Sequence, residues 1–424
     1  MRETTTATAA ALRAHAATIA AELADALAVP PDVDYGDDVR PDSPRWRDQS
    51  LSKGAAGIAV LHGLRVQHGL DGTEAMQAWL ARATRDGLTA GAGAGLWFGA
   101  PAVGFALHLA APGRYQGALA RLDAAVAQLV RARLTAAAQR MDAARRPSQY
   151  EFDLTRGLVG LGAYLLRRDP GGTLLRGVLD YLVSLTQPIP ADDAAGSRAP
   201  GWWTADLPAG MRDSSFDHGH ANLGMAHGIT AAQALLALAM RKGITVDRHA
   251  DAIETISHHL DVWRQPSAAG PWWPERISLD ELEDGRPHRN GPARPSWCYG
   301  TPGIARAQQL AALALGDTAR QHAAEDALAR CLADPAQLAR ITDPALCHGW
   351  AGILATAWHA AADATTPGIA RGLDRLLVRL LDHAYDTAPD QALGLIEGSA
   401  GIALTLHSIA TDTLGGWPTC LLIN

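Results

Sequence analysis

Two kinds of segment alternate along this chain. In one, apolar residues return every three or four positions between charged ones, as in TEAMQAWLARATRDGL, RYQGALARLDAAVAQLVRARL and PGIARGLDRLLVRLLDHAYD. That spacing gathers the apolar side chains on one stripe and predicts helices with their other face in water. In the other kind, small and aliphatic residues run almost unbroken after a pair of glycines. The recurring form is a glycine-containing turn, then a second glycine with an aliphatic residue behind it, then an apolar run. It appears as KGAAGIAVLHGL, GAPAVGFALHLA, TRGLVGLGAYLL, GMAHGITAAQALL, YGTPGIARAQQL, HGWAGILATAWH and EGSAGIALTLHS. Taking Gly57, Gly104, Gly160, Gly228, Gly303, Gly352 and Gly401 as the second glycines, the spacings are 47, 56, 68, 75, 49 and 49 residues. These segments are poor in charge and rich in Ala, Leu and Ile, as buried helices are. Their Gly and Ala let helix backbones approach closely.

A buried helix and a half-exposed one, repeated seven times, predict an all-α fold, an α/α toroid (barrel) with inner and outer helix layers. The competing arrangement is an open solenoid of the same hairpins. The last repeat runs almost to the end of the sequence with no polar capping helix after it, which favours ring closure. The expectation is one domain over residues 1–424, with 1–45 as a helical lead-in. The two longest spacings carry segments 188–220 and 264–296, rich in Pro, Gly and paired Trp. Loops of that length in a compact domain are usually functional, so both are expected near the active end. WWPERISLDELEDGRPHR reads as a short hairpin turning at Asp284-Gly285.

Composition narrows the function classes. With 48% hydrophobic and 19% charged residues, the 424-residue chain is that of a globular protein. The net charge of −7, without a long Lys/Arg run, excludes a nucleic-acid surface and strong attachment to an anionic membrane. No run of eighteen apolar residues is present, so no integral membrane segment is expected. The N-terminus lacks the apolar core of a signal peptide, which points to the cytoplasm. Four cysteines are too few for a disulfide scaffold, leaving metal binding or catalysis as the better expectation.

In a toroid the turns that open the inner helices meet at one end. Those turns carry Asp153 in EFDLTRGLVG, His227 in NLGMAHGIT, Cys298 and Tyr299 in SWCYGTPG, and Cys347 and His348 in LCHGWAG, with Arg294 four residues before Cys298. Cys298 stands five residues before Gly303 and Cys347 five before Gly352, one station in consecutive repeats. Two thiols and a histidine are three of the four ligands zinc prefers, with one position open for chemistry. Against this stands a pair of unreactive buried thiols, which are common in cores. From the residues alone the two readings weigh about equally. Cys331 and Cys420 lie off this station and read as structural. His218 and His220 form a weak HxH pair in a glycine-bearing loop and are set aside. Glu397 reads as a carboxylate favoured by a helix N-terminus.

The elements WCYGTPGIA, CHGWAGI, NLGMAHGI and the final EGSAGIALTL together resemble the lanthionine synthetase C-like (lanthipeptide cyclase) family, from about residue 50 to the end. The resemblance implies an α/α toroid holding one zinc ion on Cys298, Cys347 and His348. It also implies His227 and Asp153 as catalytic residues, with Arg294 and Tyr299 flanking the first cysteine. The implied reaction is intramolecular Michael addition of peptide thiols to dehydroamino acids, in a stand-alone cytoplasmic cyclase. Its partners are then a dehydrated precursor peptide and the dehydratase and exporter of a pathway, which would place it at the edge of a membrane-associated complex. One departure is visible, Thr230-Ala231-Ala232 where relatives tend to carry a small residue and another glycine. Three rivals remain. A prenyltransferase β-subunit uses an Asp/Cys/His set, a toroid glycosidase uses paired carboxylates, and a zinc protein of this fold could bind glutathione or a regulatory partner without cyclising anything.

Overall fold

The computed structural model describes residues 2–32, 44–190, 198–207, 213–386, 393–413 and 415–424. Among these residues seven helices form an inner layer: Ala55–Gln67, Ala100–Ala110, Leu158–Arg168, Ile229–Arg241, Thr301–Leu315, Trp350–Asp363 and Ser399–Ala410. They follow the seven glycine turns, and the first eleven residues of the first of them, Ala55 to Arg65, are all buried. The outer layer contains Glu74–Thr84, Gln116–Asp142, Thr173–Leu185, His249–Val262, Thr318–Ala333 and Leu373–His383. Each buries only a stripe, as Glu74–Thr84 does with Met76, Trp79, Leu80 and Ala83.

Every inner helix packs on the next, and the seventh packs back on the first. The ring is closed, an α/α toroid. The outer partner of the seventh inner helix comes from the start of the chain: Arg2–Ala26 lies against Ser399–Ala410 and Leu373–His383. The expected lead-in is thus an outer-layer helix, packed beside the last inner helix.

A belt of backbone hydrogen bonds joins the seven turns. Leu51 N donates to Trp97 O at 3.0 Å, Trp97 N to Thr155 O at 3.4 Å, and Leu154 N to Ala226 O at 3.3 Å. Met225 N donates to Cys298 O at 2.9 Å, Cys298 N to Cys347 O at 3.3 Å, and Cys347 N to Ile396 O at 2.9 Å. Ile396 N returns to Ser52 O at 3.0 Å, so each turn donates to the next all the way round. Backbone groups that would otherwise be orphaned ahead of a helix are paired in this way.

The belt fixes the repeat register. The helix-capping glycines are Gly54, Gly99, Gly157, Gly228, Gly300, Gly349 and Gly398. Gly228 is therefore a first glycine, not the second one that the spacing suggests. Second glycines exist for a close approach: a Cβ at Gly303 or Gly352 would run into the carbonyl oxygen of Trp297 or Leu346. In the second and fourth repeats Ala102 and Ala231 hold that station. Gly104, expected as a second glycine, therefore lies two residues past it and packs against Tyr164 instead. In the fourth repeat Thr230 Oγ1 donates to Leu223 O at 2.6 Å.

The hairpin expected at Asp284-Gly285 does not form. Ser278 opens a helix, Leu279–Asp284, through a capping box with Glu281, and Gly285 closes it at φ 65°. The Asp-Gly pair is a helix stop here, and the preceding strand pairs elsewhere. Arg276–Ser278 runs antiparallel to His220–Asn222, tying the two long loops together. A second short pair joins Ile189–Pro190 to Arg198–Ala199.

The C-terminal residues Leu421, Leu422 and Ile423 have no exposed surface. Trp297 Nε1 donates to Leu421 O at 3.0 Å and Arg306 Nε to Ile423 O at 2.9 Å. Burial pushes the Arg306 guanidinium down to about 10, and Asp363 at 2.7 Å supplies its counter-charge. The tail thus holds Trp297, the residue next to Cys298, from below.

Candidate metal centre and cavity

The residue before each cap glycine is carried to one end of the ring. In order around the belt these are Lys53, Phe98, Arg156, His227, Tyr299, His348 and Glu397. A cavity of about 1120 Å³ opens there, lined among others by Lys53, Phe98, Arg156, His227, Cys347 and Glu397.

Cys298, Cys347 and His348 offer ligand atoms that all lie within 4.8 Å of one another. Among the described residues no other group of three His, Cys, Asp or Glu side chains comes so close. The belt explains the meeting, since Cys298 N bonds to Cys347 O and the two thiols hold one station in adjacent turns. Cys298 is buried, while Cys347 and His348 are half-buried. The hydrogen bond from the Cys347 thiol holds Cys298 well below the usual thiol range, against its burial, with help from His348 and Ser296. The same hydrogen bond, together with burial, pushes Cys347 up. His348 is raised by its hydrogen bond to Cys298. A sulfur that ionises easily beside a second thiol and an imidazole is a donor set fitted to zinc. The remaining cysteines differ: burial pushes Cys331 up to about 12 and Cys420 further. Those two thiols are inert, as the sequence suggests.

Asp153 and His227 meet directly. Asp153 has no exposed surface, and its Oδ1 accepts from Arg156 N and Gly157 N, each at 2.7 Å. Its Oδ2 accepts from Thr155 Oγ1 at 2.7 Å and faces His227 Nδ1 at 2.8 Å. With Nδ1 held by the carboxylate, Nε2 is the ring nitrogen left for chemistry in the cavity that His227 lines.

The two residues flanking Cys298 have separate partners. Arg294 Nη1 lies 3.8 Å from Asp343 Oδ2. Tyr299 Oη accepts from Asn222 Nδ2 and Arg276 Nη2, both at 3.0 Å, and the Arg276 guanidinium sits 4.9 Å from the ring centre. Burial raises the phenol above its ordinary value.

Sequence reasoning missed Asp343, Asn222 and Arg276. One signal was present. Asn222 and Asp343 both stand six residues before a cap glycine, and in each case Oδ1 accepts from the backbone two residues on, at 2.9 Å from Gly224 N and 3.0 Å from Ala345 N. Arg276 gives no such signal, because a loop brings it from outside the repeat. Glu397 is not a helix cap as expected: Gly398 opens the helix without a side-chain bond, and the carboxylate pairs with Lys53 Nζ at 2.9 Å. His220 is fully buried in its strand, outside the Cys-Cys-His group, and burial pushes it down to about 4.

A closed toroid with a Cys-Cys-His set at its turns is what a family model also matches in the sequence. The model described as lanthionine synthetase C-like protein matches residues 45–422, and the chain belongs to that family. It is 24% identical over 207 residues to the nisin biosynthesis protein NisC of Lactococcus lactis subsp. lactis. That match spans about half of each chain, 48% of this one and 48% of the relative. The solved structure of nisin cyclase has the same fold, with a TM-score of 0.72 at 19% identity over 89% of this chain and 93% of that one.

Proposed function

We propose that this protein is a zinc-dependent lanthipeptide cyclase. It adds cysteine thiols of a dehydrated precursor peptide to dehydroalanine or dehydrobutyrine in the same peptide, closing (methyl)lanthionine rings. The observation that carries this reading is the convergence of Cys298, Cys347 and His348 within 4.8 Å beside a cavity that Cys347 and His227 line. The family and the fold likeness to nisin cyclase support it.

Cys298, Cys347 and His348 would hold the zinc ion, whose charge, when bound, would help keep a peptide thiol deprotonated at neutral pH. The addition forms one carbon–sulfur bond at the β-carbon, moves the π electrons toward the neighbouring carbonyl, and needs a proton at the α-carbon. His227 delivers that proton from Nε2, with Asp153 holding the ring in orientation. Arg294 balances negative charge that develops on the carbonyl oxygen. Tyr299, held by Asn222 and Arg276, positions the peptide. The dehydratase and exporter of such a pathway are the neighbours expected for the enzyme. No helix among the described residues is long and apolar enough to cross a membrane.

The reaction leaves the peptide mass unchanged, so thiol alkylation is the direct readout. A dehydrated precursor incubated with zinc-loaded protein should lose alkylatable thiols, one per ring. Thiols that stay fully alkylatable would overturn the cyclase reading and favour a zinc protein that only binds thiol ligands. Cys298→Ala should lose both zinc and activity, whereas retention of zinc would remove Cys298 from the ligand set.

A further inference from the structure

We infer that Asp343 is a positioning residue of the metal centre, one carboxylate that orients the ligand His348 and anchors Arg294 while bracing the turn that carries both ligands of its repeat. The inference rests on the zinc reading above.

Its two oxygens have separate tasks. Oδ1 accepts from Ala345 N at 3.0 Å and shapes the turn leading to Cys347 and His348. Oδ2 lies 3.4 Å from His348 Nε2 and 3.8 Å from Arg294 Nη1. With Nε2 turned to a carboxylate, Nδ1 is the nitrogen presented to the sulfurs. A metal-bound imidazole that donates its other N–H to a carboxylate has its tautomer and ring plane fixed and is a stronger ligand. The ion pairs are partly exposed, with side-chain exposures of 30% for His348, 27% for Asp343 and 38% for Arg294. Their worth therefore lies in orientation more than in stability. Asn222 provides an internal comparison. It occupies the same place six residues before its cap glycine and makes the same turn. As an amide, however, it donates to the hydroxyl of Tyr299 instead of facing an imidazole with a carboxylate charge. The carboxylate appears in the repeat whose next histidine is a ligand, and the amide in the repeat whose histidine, His227, is held by Asp153 instead.

Asp343→Asn separates the two tasks. The amide oxygen can still brace the turn, while an NH₂ group now confronts the imidazole N–H and the guanidinium. Zinc affinity, measured by competition with a chelator of known strength, should fall about 10- to 100-fold. The melting temperature of the zinc-free protein should stay within about 2 °C of wild type. Asp343→Ala should lose zinc affinity and also lower that melting temperature, because the turn brace goes too. Wild-type zinc affinity in Asp343→Asn would overturn the inference, leaving Asp343 a turn residue. A zinc-free melting point as low as that of the alanine variant would overturn it as well. If wild-type protein itself takes up no zinc, the cyclase reading fails first, which the same titration shows.

Discussion

His227 and Asp153 show how a helix-start residue becomes a candidate acid. The carboxylate is buried with all its bonds satisfied by a turn and one imidazole, so it can do little except hold that imidazole. His227→Asn should therefore lower the rate of ring closure by about 10²- to 10⁴-fold, the usual worth of a positioned acid or base. Zinc content should be unchanged, since His227 stands outside the Cys-Cys-His group. Metal analysis beside single-turnover alkylation separates the two effects, and loss of zinc would contradict the assignment. At this scale the cysteines were legible because repetition marked them: Cys298 and Cys347 share a station that Cys331 and Cys420 do not. Asp343 was not, since an Asp-Pro at a turn is unremarkable until the imidazole it faces is known. Arg276 was invisible for another reason: it reaches Tyr299 from a loop outside the repeat.

Five of the inner helices begin where a preceding carbonyl presses against the first turn, and Gly57, Gly160, Gly303, Gly352 and Gly401 make room for it. Gly352→Ala sets a methyl group against Leu346 O, in backbone that has nowhere to move. Overpacking of this kind costs about 1–3 kcal/mol, and the strain falls on the turn that carries Cys347. Denaturant unfolding should show that loss together with weaker zinc binding. Ala231→Gly, at the same station of the fourth repeat, should instead leave zinc binding unchanged, because Thr230 already engages the nearby carbonyl. A Gly352→Ala variant as stable as wild type would show that the close approach is dispensable. The alternation of buried and striped helices was legible from periodicity alone. The register of the second and fourth repeats was not, because Ala102 and Ala231 replace the glycine that marks the other five. The pairing of Arg276–Ser278 with His220–Asn222 was also missed, since partners more than fifty residues apart leave no mark in either segment.

At the scale of the molecule, burial favours the neutral form of several histidines, His220, His359 and His407 among them. Burial pushes His220 and His407 down to about 4 and His359 to about 3, whereas an unfolded chain titrates them near 6.5. Because the folded values lie below the unfolded ones, the unfolded state binds more protons between these limits. Stability is then full above about pH 6.5 and falls as the pH drops toward 4. Unfolding at pH 5 should take up close to three protons from these sites, a slope of about 4 kcal/mol per pH unit. His220→Gln should reduce the uptake by about one, as read from the pH dependence of the unfolding free energy. An unchanged slope would show that His220 is charged in the native ring. The seven repeats made a toroid legible, but the means of closure was not. An N-terminal helix serving as the last outer helix follows from no local pattern, and a backbone hydrogen bond carries no side-chain signature.

The belt of turn-to-turn hydrogen bonds has a consequence for association. A row of paired peptide groups normally ends in unpaired donors on one side and acceptors on the other, and those ends recruit stray strands. Here the bond from Ile396 to Ser52 joins last to first, so the row has no end to offer. An extended peptide entering the cavity meets side chains at the rim instead of a free backbone edge. On the proposed cyclase reading, a flexible precursor peptide would be held without being added to the ring as another strand.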